Sequence, residues 1–244
     1  MRNHSRPQPR AAAIVLAGGN GTRTGEVMNK VYLHLAGRTV VSWSIRALAQ
    51  VALIDRCVLV IRERDRDIAQ QTIDRELWDI DIEVVVGGNN RRRSELSALR
   101  RLAPAIVDGS IDTVVVHDGA RPLVSPTLVR ELLAAAAEFG AAIPGIRADD
   151  IAQVMHDGTV RKLPEHTLFR AQTPQVFRAS ALLNAYEKAE SENFPATDTE
   201  SCVHHYTGMR AHVVPGDERN IKITYPDDLL KVDLILRDAD FTIV

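Results

Sequence analysis

The chain has 244 residues, of which 45% are hydrophobic and 25% charged, enough for a sizeable core in one or two domains. Its 30 basic and 32 acidic side chains leave a formal net charge of −2, so no global electrostatic pull toward nucleic acid or a membrane surface exists. No apolar run approaches the roughly 20 residues needed to span a bilayer.

The opening MRNHSRPQPR has no apolar segment after its basic start and reads as a disordered tail over residues 1–10, not as a signal peptide. Residues 11–244 are expected to form one domain. Ala11 to Leu16 is a short apolar run suited to a buried strand. Gly18-Gly19-Asn20-Gly21 follows, then Thr22, Arg23, Thr24 and Gly25, with Lys30 further on. Glycines permit close ligand approach, and successive exposed N–H groups can cradle phosphate oxygens. Arg23 and Lys30 flank the loop with fixed positive charge. The phosphate-loop pattern GxxxxGK[ST] is absent, and Thr24 breaks GxGxxG. On pattern alone the loop is a phosphate site or an ordinary structural turn.

Thr39 can cap a helix running to about Ala49. Cys57 to Ile61 reads as a buried strand with Cys57 as a core thiol. Cys57 and Cys202 suggest no disulfide framework, which favours a cytoplasmic protein. Asp65 to Leu77 is predicted helical and Ile82 to Val86 extended. Gly87-Gly88-Asn89-Asn90 makes a second loop at the end of a strand, before Arg91, Arg92, Arg93 and a helix through Leu102. At least two of these arginines read as a solvated helix start.

Thr113 to Val116 is the next strand, with His117-Asp118-Gly119-Ala120-Arg121-Pro122 at its end. Asp118 is placed to hold a divalent metal or a ribose hydroxyl, or to cap the following turn. Pro126 starts a helix to Phe139. Alternating strands and helices imply right-handed crossovers and a mostly parallel sheet. The loops near residues 19, 88 and 118 then converge outside the carboxyl ends of the strands, where such sheets bind ligands.

Beyond Ala141 the alternation weakens. His156-Asp157-Gly158 suggests a hairpin, and about 145–170 is expected to form an arm. Ala171 to Phe177 is extended and broken by Pro174. Ala179 to Glu190 is helical, Thr197 or Asp198 caps a helix through Tyr206, and Ala211 to Val214 is a strand. Asn220 to Thr224 is extended, and Pro226 starts a final helix to about Leu236. His204 and His205 lack metal-ligand spacing, and His117 reads as a packing residue rather than a base.

These motifs together resemble a family. LAGGNGTR with Lys30, GGNNRRRS, VHDGARP, AQTPQVF, Thr197-Asp198, and NIKIT with PDDL match, in order and spacing, the cytidylyltransferases that activate 2-C-methyl-D-erythritol 4-phosphate, and their ribitol 5-phosphate relatives. The match runs from Ala12 to Leu236. The resemblance implies an α/β, Rossmann-like nucleotidyltransferase fold with a projecting arm that makes a homodimer. It implies Mg²⁺ as cofactor and CTP with a small phosphorylated polyol as partners. Arg23, Lys30 and Lys222 become the catalytic cations. Ala17, Gly18, Gly19, Asn20, Gly21, Gly88, Asn89, Ser94 and Asp118 fall on the CTP side, with Asp118 the candidate metal ligand unless CTP phosphates alone hold the ion. Arg121, Asp150, Glu165 and Thr197 fall on the acceptor side. An acceptor phosphate, with a second pKa of about 6, is already a nucleophile, so charge neutralisation and in-line positioning matter more than a general base.

The chain also departs from that pattern. Glu165 stands where the family has an arginine reaching toward the partner's substrate phosphate. Asp149-Asp150-Ile151-Ala152 replaces the usual Asp-Thr-Ile-Lys, Asn29 the usual proline before the lysine, and Thr24 a methionine. Methylerythritol phosphate is the leading acceptor. Glu165 and Asp150 point instead to another polyol phosphate or a phosphonate, with Arg161, Lys162 or Arg170 taking the phosphate. A molybdopterin-type or sugar nucleotidyltransferase and an inactive binding relative are the alternatives of other classes.

Overall fold

A computed structural model describes residues 10–19, 29–148, 151, 153–161, 168–195 and 198–238. In chain order the strands and helices are β1 (Ala11–Leu16), β2 (His34–Leu35), β3 (Arg38–Thr39), α1 (Val40–Ala49), β4 (Ile54–Ile61), α2 (Arg66–Glu76), β5 (Ile82–Val86) and α3 (Arg91–Val107). Then come β6 (Thr113–Asp118), α4 (Pro126–Phe139), β7 (Ala141–Arg147), β8 (Gln153–Val154), β9 (Val160–Arg161), β10 (Phe169–Ala171), β11 (Gln175–Arg178), α5 (Ala179–Ser191), α6 (Thr199–Thr207), β12 (His212–Pro215) and α7 (Pro226–Arg237).

One eight-stranded sheet carries the fold. β1 pairs in parallel with β4 on one side and β6 on the other, and β5 extends the sheet beyond β4. β11 enters antiparallel between β6 and β7. β10 continues the same edge of β7, and β12 runs parallel along the opposite edge. The proline-broken segment is thus one interrupted strand, with the break at a cis Thr173–Pro174 bond.

The sequence of β1 explains its central place. Side chains alternate between faces, so a strand covered on both sides reads as a continuous apolar run. Ala11, Ala13 and Val15 join Leu59, Ile61 and Val115 under α1, α2 and α4. Ala12 and Ile14 join Val58, Val60, Val114 and Val116 under α3, α5 and α6. Each fully buried Val, Ile or Leu in these layers contributes about 1.5–3 kcal/mol. A smaller cluster of Leu35, Val40, Leu123, Ile223 and Val232 seats α7.

The helix ends follow local chemistry. Ser125 caps α4 by accepting from Leu128 N, with Pro126 in the first turn, and Gly140 closes the helix at φ 88°. Asp198 caps α6 in a reciprocal box with Ser201. Thr39 precedes α1 but its hydroxyl does not cap it. Its Oγ1 lies 2.7 Å from Ser42 Oγ and donates to Glu76 Oε2 at 3.0 Å instead. The expected end of α3 at Leu102 is also corrected. The helix continues through Pro104 to Val107, because Ala105 and Ile106 are buried in the sheet-facing core. β4 begins at Ile54, three residues before the expected start, where it registers against Ala11.

Of the tail expected over 1–10, only Arg10 is described. It is tied down: Nη1 donates to Asp55 Oδ2 at 2.6 Å and its carbonyl accepts from Asp112 N at 3.1 Å. The expected hairpin exists as β8 and β9 around Gly158, with Met155 N donating to Thr159 O. Cys57 is a buried core thiol, pushed up to about 12 chiefly by burial.

Candidate active site

From β1 the chain steps outward to β4 and β5, then returns to place β6 on the other side of β1. That reversal opens a crevice at the carboxyl ends of the strands. A cleft of about 400 Å³ lies there. Its walls come from Gly18 and Gly19 after β1, Arg62 after β4, Gly88 to Arg91 after β5, Asp118 at the end of β6, and Lys30 and Lys222. Among the described residues, Asp118 is the single acidic side chain lining it, against Lys30, Arg62, Arg91 and Lys222. Such a cleft attracts a polyanion.

The two glycine loops are built differently. A Cβ at Gly88 would sit 2.3 Å from Arg93 Cβ, and one at Gly87 would sit 2.6 Å from Ser94 Oγ. These glycines let the loop lie against the first turn of α3. Asn90 caps that helix by accepting from Arg93 N at 2.8 Å, and Ser94 Oγ donates to Gly88 O at 3.3 Å. A Cβ at Gly19 would meet nothing within 4 Å, and at Gly18 only atoms at 4.0 Å. Among the described residues, packing does not require glycine at those two positions.

Asp118 is the electrostatic centre. Its Oδ1 lies 2.5 Å from Arg91 Nη1, and its Oδ2 lies 2.7 Å from Lys222 Nζ and 3.8 Å from Arg121 Nε. Burial opposes its charge, but Arg91 and then Lys222 outweigh that and hold its pKa well below the usual carboxylate range. The turn-cap alternative for its side chain is therefore overturned. Arg121 N donates to the Asp118 backbone carbonyl instead.

Lys222 is delivered to Asp118 by the interlocked motifs around it. Asn220 Nδ2 donates to Thr173 O at 2.8 Å, Gln172 Nε2 to Asp217 O at 2.8 Å, and Ile223 N to Ala120 O at 2.8 Å. Arg121 Nη1 donates to Asn220 O at 2.7 Å. Arg121 thus ties the loop after β6 to the segment that carries Lys222. It also borders a separate depression with Arg170, Gln172 and Asn220.

Asn89 is exposed at the mouth of the cleft, with its Oδ1 accepting from Arg93 Nη1 at 3.4 Å. Ala17 closes β1 by donating its N–H to Val60 O. Lys30, Gly18, Gly19, Gly88, Asn89, Ser94, Asp118 and Lys222 are therefore gathered in one cleft. Asn20, Gly21, Arg23, Asp150, Glu165 and Thr197 lie outside the described residues. His117 is a packing residue as expected. It is fully buried, and burial lowers its pKa to about 4.

The solvated reading of the arginines is corrected. Arg91 bridges Glu95 Oε1 at 2.8 Å and Asp118, while Arg92 and Arg93 both pair with Glu190. The Arg92 side chain is only 11% exposed. Sequence reading missed Arg91, Glu95 and Arg62. The Arg91–Glu95 spacing of four on one helix was the available signal, obscured by the run of three arginines.

Comparison with known proteins decides the family. The model of the 2-C-methyl-D-erythritol 4-phosphate cytidylyltransferase family matches residues 11–238. The chain belongs to this family. Named members include the protein of Caldanaerobacter subterraneus subsp. tengcongensis, 33% identical over 229 residues, covering 93% of this chain and 98% of that one. The Pelotomaculum thermopropionicum protein is 36% identical over 231 residues, covering 93% and 94%. The crystal structure of 4-diphosphocytidyl-2C-methyl-D-erythritol synthase from Anaerococcus prevotii superposes with a TM-score of 0.80 at 27% identity, covering 93% of this chain and 98% of that one. For the Francisella tularensis 2-C-methyl-D-erythritol 4-phosphate cytidylyltransferase the TM-score is 0.73 at 28% identity, with 92% and 99% covered. The Rossmann-like nucleotidyltransferase fold implied by the motifs is thus that of the family.

Proposed function

We infer that the chain is a cytidylyltransferase that transfers CMP from CTP to 2-C-methyl-D-erythritol 4-phosphate and releases pyrophosphate. The observation that carries this reading is the cation-lined cleft between the two glycine loops, in a chain whose family matches over residues 11–238. An acceptor phosphate oxygen attacks the α-phosphorus, and the bond from that phosphorus to the bridging oxygen of pyrophosphate breaks. Both reactants are anions, so the residues' work is to neutralise and align them. Lys30 and Lys222 take the phosphates, Gly18 and Gly19 admit them to the backbone, and the Gly88–Asn89 loop with Ser94 faces the base. Arg23, Asn20 and Gly21 belong to the same phosphate loop in this reading.

The cleft fits Mg²⁺. A magnesium ion commonly takes one or two carboxylates and completes its shell with substrate phosphates and water. Asp118, charged and lining the cleft, is the carboxylate that would hold it. Bound there, the ion would neutralise phosphate charge. Among the described residues no group of three His, Cys, Asp or Glu side chains offers an all-protein site.

Residues 11–244 act as one domain in this reading. The segment near 145–170, which includes the β8–β9 hairpin, is its dimerisation arm. Arg121, Asp150, Glu165 and Thr197 are the residues assigned to the acceptor in this reading. The working compartment is the cytoplasm, and among the described residues no helix is long and apolar enough to cross a membrane.

Pyrophosphate release from CTP and methylerythritol phosphate, with and without Mg²⁺, tests the reading. The expected result is turnover with CTP well ahead of ATP, GTP and UTP, lost on chelation. Preference for GTP would overturn the base assignment. Glu165→Arg measured alongside tests the acceptor. A nearly inert parent that gains activity through this change would replace methylerythritol phosphate with another polyol phosphate or a phosphonate.

A further inference from the structure

Glu95 lies in the second turn of α3 and is 1% exposed. A carboxylate buried so deeply is costly unless it is fully engaged. Arg91 Nε stands 2.8 Å from its Oε1. On its Oε2, Tyr186 Oη of α5 donates a short hydrogen bond and Thr199 Oγ1 of α6 donates one at 3.0 Å. Three helices thus meet at one carboxylate: two hydroxyls donate to Oε2, while Arg91 faces Oε1 as an ion pair without hydrogen-bond geometry.

Packing does not call for this arrangement. α3 and α5 already share Leu96, Leu99, Leu102, Leu182 and Tyr186 in one apolar cluster, with Cys202 and Val203 of α6. Replacing a buried ionic group by an apolar one of similar volume is often neutral or stabilising. What the carboxylate does uniquely is hold Arg91. The guanidinium is a planar fork, and both sides are occupied here, Nε by Glu95 and Nη1 by Asp118. Lys222, Asp118's other close partner, is 40% exposed and able to move toward an incoming phosphate.

We propose that Glu95 is a positioning residue of the nucleotide site: it fixes Arg91 against Asp118 so that the nucleotide side of the cleft is set before CTP arrives. Tyr186 and Thr199 fix Glu95 in turn, which couples α5 and α6 to the cleft. When Lys222 leaves Asp118, Arg91 remains and keeps the carboxylate in place. The proposal rests on the cytidylyl-transfer reading.

Titration calorimetry with CTP and Mg²⁺, beside steady-state kinetics on the full chain, tests it. Glu95→Gln preserves shape but removes the charge that holds Arg91. It should weaken CTP binding and raise KM for CTP about tenfold, because Arg91 loses its buried counter-charge, with KM for the acceptor within about twofold of the parent. Arg91→Ala should produce the same change, and the double variant should add nothing to either. If Glu95→Gln fails to fold, Tyr186→Phe and Thr199→Val remove the anchors one at a time. Each should raise KM for CTP a few-fold in the parent and leave it unchanged in Arg91→Ala. Effects that multiply with Arg91→Ala, or CTP binding unchanged in these variants, would overturn the proposal. A parent that binds another nucleotide in place of CTP fails the functional reading instead. The same cycle is then run by calorimetry with the nucleotide that binds, and coupling or its absence again decides the role of Glu95.

Discussion

At the scale of single residues, one departure from the expected motif has a visible structural role. Asn29 stands where the resemblance leads one to expect proline, and its Nδ2 donates to Ala17 O at 2.5 Å and to Asp65 Oδ2 at 2.9 Å. Asp65 is clasped in turn by Arg62, whose Nε lies 2.6 Å from Oδ2. This buried junction ties the segment entering the glycine loop to the one leaving it, directly beside Lys30. Asn29→Ala should therefore cost about 1–3 kcal/mol, because the Ala17 carbonyl and Asp65 lose a donor. Asn29→Asp should cost more, since it sets a second carboxylate against Asp65. Thermal unfolding of both variants checks this, and an Asn29→Asp protein as stable as the parent would refute the junction. Lys222 and Lys30 belong to the other class of residue, where function outweighs stability. Either lysine changed to alanine should lower kcat by on the order of 10². For Lys222→Ala the melting temperature should stay within a few degrees, because the side chain is half-exposed. Normal turnover in either variant would remove that lysine from the mechanism.

At the scale of elements, the Gly87–Asn90 loop and α3 act as one piece. Alanine at Gly88 would force its Cβ into Arg93, whose Cβ stands 2.3 Å away and whose backbone carbonyl carbon stands 3.2 Å away. Backbone cannot yield cheaply, so the first turn of α3 must shift, and Arg91 and Ser94 move with it. Gly88→Ala should destabilise the fold by about 1–3 kcal/mol and raise KM for CTP more than KM for the acceptor. Equal effects on both substrates would show that the loop does not face the nucleotide. Much of this geometry was legible in the sequence. The apolar runs of β1, β4 and β6 are buried on both faces, β5 is a half-buried edge strand, and glycine or aspartate stands at the end of three of the four where a parallel sheet opens. The end of α3 was not legible, because Pro104 signals a stop that burial of Ala105 and Ile106 overrides. The antiparallel entry of β11 was equally hidden, since residues 171–177 show extension but not direction. Nor did the local pattern reveal which arginine reaches the cleft. That depended on Asp118 and Glu95 converging on Arg91 from β6 and α3.

At the scale of the whole molecule, the site is wired into the core by a histidine that has to stay neutral. Asp118 N donates to Thr173 Oγ1 at 3.0 Å, Thr173 Oγ1 lies 3.2 Å from His117 Nδ1, and His117 Nε2 lies 3.2 Å from Arg121 O. A carbonyl only accepts, so Nε2 carries the proton and Nδ1 accepts from the Thr173 hydroxyl. Charging the ring would add a donor where an acceptor is required, inside a fully buried pocket. Burial lowers its pKa to about 4, against about 6.5 in the unfolded chain. Between those values the unfolded chain binds a proton that the native protein does not. The contribution of His117 is therefore fully present above the unfolded value and is lost as pH falls toward 4, by up to about 3 kcal/mol. Asp118 is depressed too, so its own contribution is present above the ordinary carboxylate range and lost only in stronger acid. Glu95 has the opposite sign: burial raises it, so its contribution is complete below its unfolded value and declines as pH rises through its native one. The window from pH 6.5 to 4 therefore carries the largest share of the His117 effect. His117→Gln keeps a donor for the Arg121 carbonyl and removes the titration. Denaturant unfolding should show the variant less stable than the parent at pH 7, with the difference shrinking by a few kcal/mol as pH falls through that window. A difference that stays flat from pH 7 to 4 would mean that His117 titrates alike in both states and that the relay from Asp118 to the Arg121 carbonyl does not hold it neutral.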